Sequence, residues 1–439
     1  MLSEGDRVID DAGVEFTLGS VIAKGGQGKV FRVVGLPDHA IKLLARPEEL
    51  GGLEAVRRLP LDGLAVAPPL TLIRTGDHGY VMRLAGEMTP LREPYLPTEF
   101  GPANTASWYG LTGGLRRRLA LVARVADTLS ALHGRGLAYL DLNPNNVMVS
   151  SDLSRDEAWL IDTDNLTSIT QPISKILGFP GYIAPERMRR RPPTTLSDAY
   201  SLAALVFRLL VLEHPLKGVA TLGLDAHTVN DGVNRGLYPY VAHPEDSTNR
   251  LSKGSLPGKL LELTLSGRLT SLCQRTFVDG LHEPTKRPGT ARWRDVLHSA
   301  LDNVLVCGSG CGWTYYRTSA ACPNCGVAAG TVPLLTVYGG DFEQPTAGRD
   351  SLVLSAHAPT AVLPRQLWGT YGDREPVLIM TPDKKGFTVK ASNDVALRDE
   401  RGKAVKALRL PISGELARVR VTAPDRPDRL LTLRALEPR

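Results

Sequence analysis

The 439-residue sequence has few cysteines and no hydrophobic run long enough to cross a bilayer. Five cysteines are present, and four of them lie between positions 307 and 325, which excludes a disulfide framework for the chain as a whole. The longest apolar run, residues 200–212, contains Arg208 and predicts a buried helix instead of a membrane span. The first ten residues, "MLSEGDRVID", are polar and acidic, unlike a secretory signal. We therefore expect a cytoplasmic protein that does not bind membranes.

The sequence also lacks a long basic tract and has few aromatic side chains. The net charge is +6, but compact basic runs occur only at residues 115–119 and 187–193. Aromatic residues make up 6% of the chain and alternate with basic ones only in "WTYYR". Solvated surfaces explain the two basic runs better than a nucleic-acid patch does. Nucleic acid is therefore not an expected partner.

The remaining composition, with 42% apolar and 22% charged residues, is that of a globular protein of two or three domains. Residues 14–90 alternate short apolar runs with turn residues, which predicts strands and hairpins interrupted by one helix at 47–59. Residues 90–114 are rich in Pro, Gly and Thr and predict a loop. Long helical patterns follow, from 115–136 to 291–305. The pattern predicts an α+β, two-lobed fold with a β-rich lobe (1–88), a helical lobe (89–303), a cysteine-rich segment (304–330) and a β-sandwich or barrel (331–439).

Four polar residues lie in this order within or beside apolar, strand-like segments. They are Lys42 in "HAIKLL", Asp141 and Asn146 in "AYLDLNPNNVMV", and Asp162 in "WLIDTDNL". Phosphoryl transfer requires a carboxylate that orients the attacking hydroxyl, carboxylate and amide oxygens that bind Mg²⁺, and a lysine that neutralises phosphate charge. A glycine-rich turn between two strands, "IAKGGQGKVF", would allow backbone N–H groups to approach phosphates.

Residues 15–300 resemble the eukaryotic-like (Hanks-type) protein kinases, in particular bacterial Ser/Thr members. The family's glycine loop corresponds to residues 23–30, its catalytic loop to 139–146 and its D-F-G motif to 162–164. The resemblance implies that Lys42 pairs with Glu54 (Glu49 is the alternative), that Asp141 orients the substrate hydroxyl and that Asn146 and Asp162 bind Mg²⁺ or Mn²⁺. Met82 would be the gatekeeper of the hinge. The residues implied to contact ATP are Ala23, Gly25, Gly26, Gly28, Val30, Ala40, Lys42, Met82, Leu84, Asn146 and Asp162.

Three later features distinguish protein kinases from small-molecule phosphotransferases. Residues 184–186 match the family's A-P-E motif, whose glutamate would be Glu186. Asp198 opens the segment that resembles the family's central helix, and Arg287 matches the arginine that pairs with the A-P-E glutamate. The resemblance therefore implies transfer of the γ-phosphoryl group of ATP to Ser/Thr hydroxyls of protein substrates.

The sequence departs from the family at several positions of the site. Tyr139 and Leu140 replace the His-Arg of H-R-D, and the missing arginine argues against a phosphorylated activation loop. Asn143 replaces the usual lysine, and Asp164 replaces the D-F-G glycine. A pseudokinase scaffold and a small-molecule kinase therefore remain alternatives. The hydroxyls that could be autophosphorylated are those of Thr167, Ser168, Thr170 and Ser174.

The four clustered cysteines form two pairs, Cys307 with Cys311 and Cys322 with Cys325, in Gly- and Pro-containing turns. This spacing is typical of zinc ribbons, in which four thiolates bind one tetrahedral ion. Two disulfides are the alternative, but no secretory signal supports an oxidising compartment. We expect a structural Zn²⁺. Cys273 stands alone and is expected in a buried helix, and residues 331–439 are expected to bind a partner protein.

Overall fold

The structure is a computed structural model that describes residues 2–25, 28–46, 50–74, 78–84, 87–96, 106–170, 178–339, 350–392, 394–399, 401–412 and 417–437. Its contacts divide the chain into two compact units. The first consists of Met1–Asn104, Ala120–Leu261 and Thr270–Arg294, and the second of Thr105–Leu119, Glu262–Leu269 and Asp295–Arg439.

An antiparallel sheet opens the first unit, as the alternating sequence predicts. Its strands are β1 (Arg7–Ile9), β2 (Glu15–Gly25), β3 (Gly28–Val33), β4 (Leu36–Leu44), β5 (Pro69–Ile73) and β6 (Gly79–Arg83). Their spatial order is β1-β2-β3-β4-β6-β5. Because side chains alternate along a strand, Ile41 and Leu43 of β4 enter the apolar cluster on one face, whereas Ala40 and Leu44 enter the cluster on the other. Lys42 lies on the same face of β4 as Ala40.

Shorter strands flank the polar segments of the site. Strands β7 (Met88–Pro90), β9 (Val147–Ser150) and β10 (Ala158–Leu160) form one small sheet, and β8 (Leu137–Ala138) pairs with β11 (Thr167–Ser168). The catalytic loop connects β8 to β9, and the D-T-D segment follows β10 directly. The residues of β8 and the apolar residues of β9 are buried, which anchors both ends of the catalytic loop.

The helices of the two units confirm the helical predictions, and most of them lie in the first unit. Among the described residues they are α1 (Leu50–Arg57), α2 (Arg92–Tyr95), α3 (Ala106–Leu111), α4 (Gly114–Gly134), α5 (Pro185–Met188), α6 (Thr195–Val211), α7 (Ala226–Arg235), α8 (Leu256–Thr264), α9 (Gly267–Gln274), α10 (Thr290–Leu301) and α11 (Pro364–Trp368). The run expected as a buried helix is α6, which is buried along most of its length and capped by Thr194 with Ser197. Within the described segments, no helix is both long and apolar enough to cross a membrane.

The prediction of a loop across residues 90–114 is wrong where the structure describes that segment. Helix α2 buries Tyr95, and helix α3 buries Tyr109. The ring of Tyr109 packs against that of Trp313, with ring centroids 5.4 Å apart, and the guanidinium of Arg118 lies 3.9 Å from its centroid. Packing of aromatic rings thus outweighs the low helix propensity of a Gly- and Thr-rich segment.

The second unit contains the cysteine-rich segment and the C-terminal strands. Strands β12 (Val304–Val306) and β13 (Thr314–Tyr316) form a hairpin around the first cysteine pair. One sheet has the order β15-β14-β23-β22-β19-β20, from β14 (Val332–Gly339), β15 (Asp350–Val353), β19 (Ala396–Arg398), β20 (Ala404–Val405), β22 (Ala417–Ala423) and β23 (Arg426–Leu436). The other has the order β16-β17-β18-β21, from β16 (Thr360–Val362), β17 (Leu378–Asp383), β18 (Gly386–Ala391) and β21 (Ala407–Pro411). Both sheets share one apolar core, so the all-β prediction is confirmed in its sandwich form.

Candidate active site

The carboxylate of Asp141 is held by two neighbouring amides. Asn143 Nδ2 donates to Asp141 Oδ1, and Asn146 Nδ2 donates to Asp141 Oδ2, each at 3.0 Å. Both amides also donate to the main-chain oxygen of Asp141 at 3.0 Å. The catalytic loop therefore folds around Asp141, and the Asp–Asn spacing seen in the sequence reflects this direct contact.

Asp198 of helix α6 fixes the backbone just before Asp141. Its carboxylate accepts the N–H groups of Tyr139 and Leu140, each at 2.8 Å, and lies 3.0 Å from His133 Nε2. Leu140 has a positive φ of 67°, which a branched side chain adopts only when its surroundings impose it. The two hydrogen bonds to Asp198 stabilise this turn and thereby the direction of Asp141.

Tyr139, which replaces the usual histidine, links the catalytic loop to the segment that carries Asp162. The residue is buried, and its hydroxyl donates to the carbonyl of Ile161. The replacement therefore retains a hydrogen bond between the two polar segments.

Lys42 and Asp162 form an ion pair at the centre of the site. The side chains are 6% and 16% exposed, so the charges are poorly screened by water. Asp162 adopts the left-handed conformation with a φ of 60°. A second carboxylate, that of Asp164, approaches Lys42 Nζ at 3.9 Å. Asp164 stands where the resembled family has the D-F-G glycine, but the residues around it in the sequence do not indicate that it lies beside Lys42.

Crowded carboxylates shift the titration of the site. Burial, together with the charge of Asp162, raises the pKa of Asp141 to about 7, although the amides of Asn143 and Asn146 act in the opposite direction. Burial and Asp162 also raise the pKa of Asp164 to about 6. Asp164 Oδ1 is buried and has no hydrogen-bond partner among the described residues. Such a group of oxygens is the type of ligand set that Mg²⁺ prefers, so the residues present fit a divalent cation.

The predicted pair of Lys42 with Glu54 is not formed, although both residues lie in the described part of the chain. Glu54 of helix α1 is 44% exposed, and its carboxylate binds Arg74. Arg74 follows β5 and reaches α1 from the solvent side, which draws the carboxylate outward. The alternative partner, Glu49, lies outside the described residues.

The residues expected around the adenine occupy one apolar cluster. Ala40 and Met82 are buried in it, and Val30 and Leu84 pack against it. The cluster has seven further members that were not predicted from the sequence: Ile22, Leu44, Leu53, Ala67, Leu72, Tyr80 and Ile161. Tyr80 could have been found by alternation, because it lies two residues before Met82 on the same face of β6.

The glycine turn between β2 and β3 is described only in part. Ala23 pairs with Val30 and Gly25 with Gly28, whereas Gly26 lies outside the described residues. A Cβ on Gly28 would lie 1.9 Å from the carbonyl oxygen of Leu43, and Gly28 has a φ of 143°. Close approach of β3 and β4 therefore requires glycine here whether or not a phosphate binds.

The A-P-E segment is anchored by a buried ion pair. Arg287 Nη1 and Nη2 donate to the two carboxylate oxygens of Glu186, each at 2.8 Å. Ser197 Oγ donates to the same carboxylate at 2.9 Å. The geometry is the bidentate pairing that the sequence resemblance implies.

The candidate phosphorylation sites differ in their surroundings. Thr167 is buried in β11, while the hydroxyls of Ser168 and Thr170 lie 2.9 Å apart at the surface. Ser174 lies outside the described residues.

The structure brings the four clustered cysteines together. Their sulfur atoms all lie within 4.8 Å of one another, with Cys307 Sγ 3.5 Å from Cys325 Sγ and Cys311 Sγ 3.7 Å from Cys322 Sγ. A Zn–S distance of about 2.3 Å in a tetrahedron corresponds to sulfur separations of about 3.8 Å. Disulfide bonds would require about 2.05 Å. The cluster therefore has the dimensions of a tetrahedral metal site. Cys273 is a buried residue of α9, as predicted.

Comparison with known proteins finds a family match that contains Asp141, Asn146 and Asp162 but not Lys42. Residues 69–281 match the family model described as protein kinase domain. Serine/threonine-protein kinase PknD of Protochlamydia amoebophila is 26% identical over 280 residues, which are 57% of this chain and 28% of that protein. PknD of Mycobacterium tuberculosis (strain H37Rv) is 24% identical over 275 residues, 59% of this chain and 37% of that protein.

A shorter alignment has higher identity. Serine/threonine-protein kinase PkaB of Streptomyces coelicolor is 36% identical over 113 residues, which are 23% of this chain and 26% of that protein. The alignments thus span about a quarter to just over a third of these relatives. The matches show that residues 69–281 of this chain are similar to the protein kinase domain, and that the aligned parts of the chain are similar to bacterial serine/threonine-protein kinases.

Proposed function

We propose that the protein is an ATP-dependent kinase that transfers the γ-phosphoryl group to Ser/Thr hydroxyls of protein substrates. The observation that carries the proposal is the pairing of two arrangements in one site: Asp141 held by the amides of Asn143 and Asn146, and Lys42 bound to Asp162. One arrangement fixes a proton acceptor, and the other places a cation among carboxylates where phosphates would bind.

Each residue has a separate role in the proposed reaction. Asp141 accepts the proton of the substrate hydroxyl as that oxygen attacks the γ-phosphorus, and its raised pKa makes it a better acceptor near neutral pH. Lys42 holds the α- and β-phosphates. Asn146 and Asp162 hold Mg²⁺ or Mn²⁺, which when bound neutralises charge on the phosphates.

The A-P-E linkage supports a protein substrate over a small metabolite. The Glu186–Arg287 pair fixes the segment that follows the activation loop. Small-molecule phosphotransferases usually lack this linkage, whereas protein kinases use the segment beside it to bind the substrate chain.

Transfer of labelled phosphate separates the proposal from its alternatives. The full chain is incubated with γ-labelled ATP, Mg²⁺ or Mn²⁺ and protein acceptors, in parallel with Asp141→Ala and Asp162→Asn. Label on protein Ser/Thr with the unaltered chain alone supports the proposal. ATP binding with no transfer under any metal condition would indicate a pseudokinase scaffold, and label confined to small molecules a metabolite kinase.

We also propose that Cys307, Cys311, Cys322 and Cys325 bind one structural Zn²⁺. The sulfur separations support this assignment. Four protein ligands leave no open position for a substrate, so the ion would stabilise the turns of the ribbon.

Residues 331–439 are proposed to bind a partner protein. Their sandwich has a core of its own, as expected of a module added to a kinase domain. Affinity purification with the full chain should capture that partner, and affinity purification with a chain ending at residue 330 should not. Identical sets of captured proteins would contradict the assignment.

A further inference from the structure

Asp164 is held rigidly beside the site by the residue before it. Thr163 is buried, and its hydroxyl donates to the carbonyl of Ala67 at 3.3 Å. Residues Thr163–Asn165 form one 3-10 turn, which fixes the point at which the side chain of Asp164 leaves the main chain. Only 12% of that side chain is exposed.

The turn directs the carboxylate of Asp164 toward Lys42. Asp164 Oδ2 lies 3.9 Å from Lys42 Nζ, on a lysine side chain that is itself 6% exposed. Opposite charges at this distance attract strongly where water is largely excluded. Lys42 is therefore attracted by two carboxylates of the D-T-D segment, those of Asp162 and Asp164.

Glu54 of helix α1 does not form an ion pair with Lys42, because its carboxylate binds Arg74. The D-T-D segment and helix α1 are close in the fold, and of Glu54 and Asp164 it is Asp164 that approaches Lys42. A glycine at position 164, as in the D-F-G motif, would remove this carboxylate.

We propose that Asp164 is a positioning residue that holds Lys42 in the orientation needed to bind the phosphates of ATP. The inference rests on the proposed kinase function, because it assigns a role within the same site. If Asp164 has this role, its carboxylate increases the affinity for ATP. Simple charge repulsion between a carboxylate and the phosphates would instead decrease that affinity.

The test measures ATP affinity and turnover separately in the full chain. Calorimetric titration with ATP and Mg²⁺ gives Kd, and steady-state phosphate transfer gives kcat and KM. The variants are Asp164→Asn, Asp164→Gly and Asp164→Glu, with Asp62→Asn as a matched loss of one exposed carboxylate in the same unit. Circular dichroism and thermal unfolding confirm that each variant folds.

We expect Asp164→Asn and Asp164→Gly to raise Kd and KM for ATP by roughly fivefold, with a smaller change in kcat, because an ion pair that orients a binding residue is lost. Asp164→Glu should recover part of the affinity. Glu54→Gln should raise Kd less than Asp164→Asn does, and Asp62→Asn should not change it.

Unchanged or tighter ATP binding by folded Asp164→Asn would overturn the inference, as would a larger loss in Glu54→Gln. Because Kd is measured without phosphate transfer, a chain that binds ATP but transfers no phosphate would contradict only the proposed function. A chain that binds no ATP would contradict both.

Discussion

Asn143 shows how one residue can replace a charge by a hydrogen bond. The resembled family usually has a lysine here, whereas the asparagine is buried and directs Nδ2 at Asp141. Its Oδ1 accepts the N–H of Asn145 at 3.0 Å. Compared with the resembled family, the chain therefore lacks a cation at this position and has an amide that orients the carboxylate of Asp141.

Replacing Asn143 by alanine should lower kcat about tenfold, the effect of losing a hydrogen bond to a charged group worth about 1.5 kcal/mol. KM for ATP should change less, because Asn143 contacts the proton acceptor. Steady-state transfer to a protein acceptor measures both. Asn145→Ala is the matched control and should retain the original rate, and equal losses in the two variants would contradict the assigned role.

His214 makes the stability of the first unit depend on pH. Burial holds the pKa of this imidazole well below its usual value. Nε2 lies 2.7 Å from the carbonyl of Gly181, and Nδ1 accepts the N–H of Leu216 at 3.0 Å. The neutral ring, with its proton on Nε2, satisfies both contacts.

The contribution of His214 to the unfolding free energy should therefore fall as pH decreases below about 6.5, by up to about 1.4 kcal/mol per pH unit. The raised pKa values of Asp141 and Asp164 contribute with the opposite sign, so the effect of His214 is the difference between the unaltered chain and a variant without this imidazole. The His214 contribution decreases on acidification because the imidazole binds a proton in the unfolded chain but not in the folded chain. Urea unfolding at several pH values between 5 and 8 measures the slope. His214→Gln should make the slope of unfolding free energy against pH less positive, and the exposed His227→Gln should leave it as it is, so an unchanged slope in His214→Gln would contradict the assignment.

Among the structural elements, the A-P-E segment is anchored by the buried ion pair of Glu186 with Arg287. The side chain of Arg287 is fully buried against Glu186, so removing either partner leaves a charge without compensation. Helix α5 begins at Pro185, and the pair joins it to the turn before α10.

Arg287→Ala should destabilise the protein by about 3–5 kcal/mol, because Glu186 would remain buried and unpaired. Arg287→Lys should be intermediate, since lysine keeps the charge but loses the bidentate geometry. Urea denaturation measures both. Lys286→Ala removes an adjacent cation that lies at the surface and should change stability little, and an equal loss there would argue against a specific role for Arg287.

Elements with a clear sequence period were predictable, and so was the distant Glu186–Arg287 contact that a family motif marks, whereas distant contacts without such a motif were not. Apolar alternation placed Lys42 on a strand, and helical periodicity located α4 and α6. The outward turn of Glu54 depends on Arg74, whose approach to α1 has no signature in the sequence. Helix α3 was missed because the packing of Tyr109 on Trp313 joins residues about 200 positions apart.

At the scale of the whole molecule, a metal site would stabilise a segment with little apolar core of its own. The ribbon hairpin β12–β13 is short, and Cys325 is exposed. Thiolates in such turns repel one another unless a cation binds them.

The purified chain should contain about one Zn²⁺, and Cys322→Ser should lose most of it, because three ligands bind less tightly than four. Metal analysis by mass spectrometry provides the measurement. Cys273→Ala, which removes a cysteine outside the cluster, should keep the metal. Less than about half an ion per unaltered chain would contradict the assignment.

The central proposal is that this chain transfers phosphate by means of Asp141. The most direct measurement compares kcat of the unaltered chain with that of Asp141→Asn, together with Kd for ATP. We predict that kcat falls by about 10²–10⁴, the contribution of a positioned proton acceptor, while Kd stays within about threefold. An Asp141→Asn variant that transfers phosphate to protein at the original rate would contradict the account.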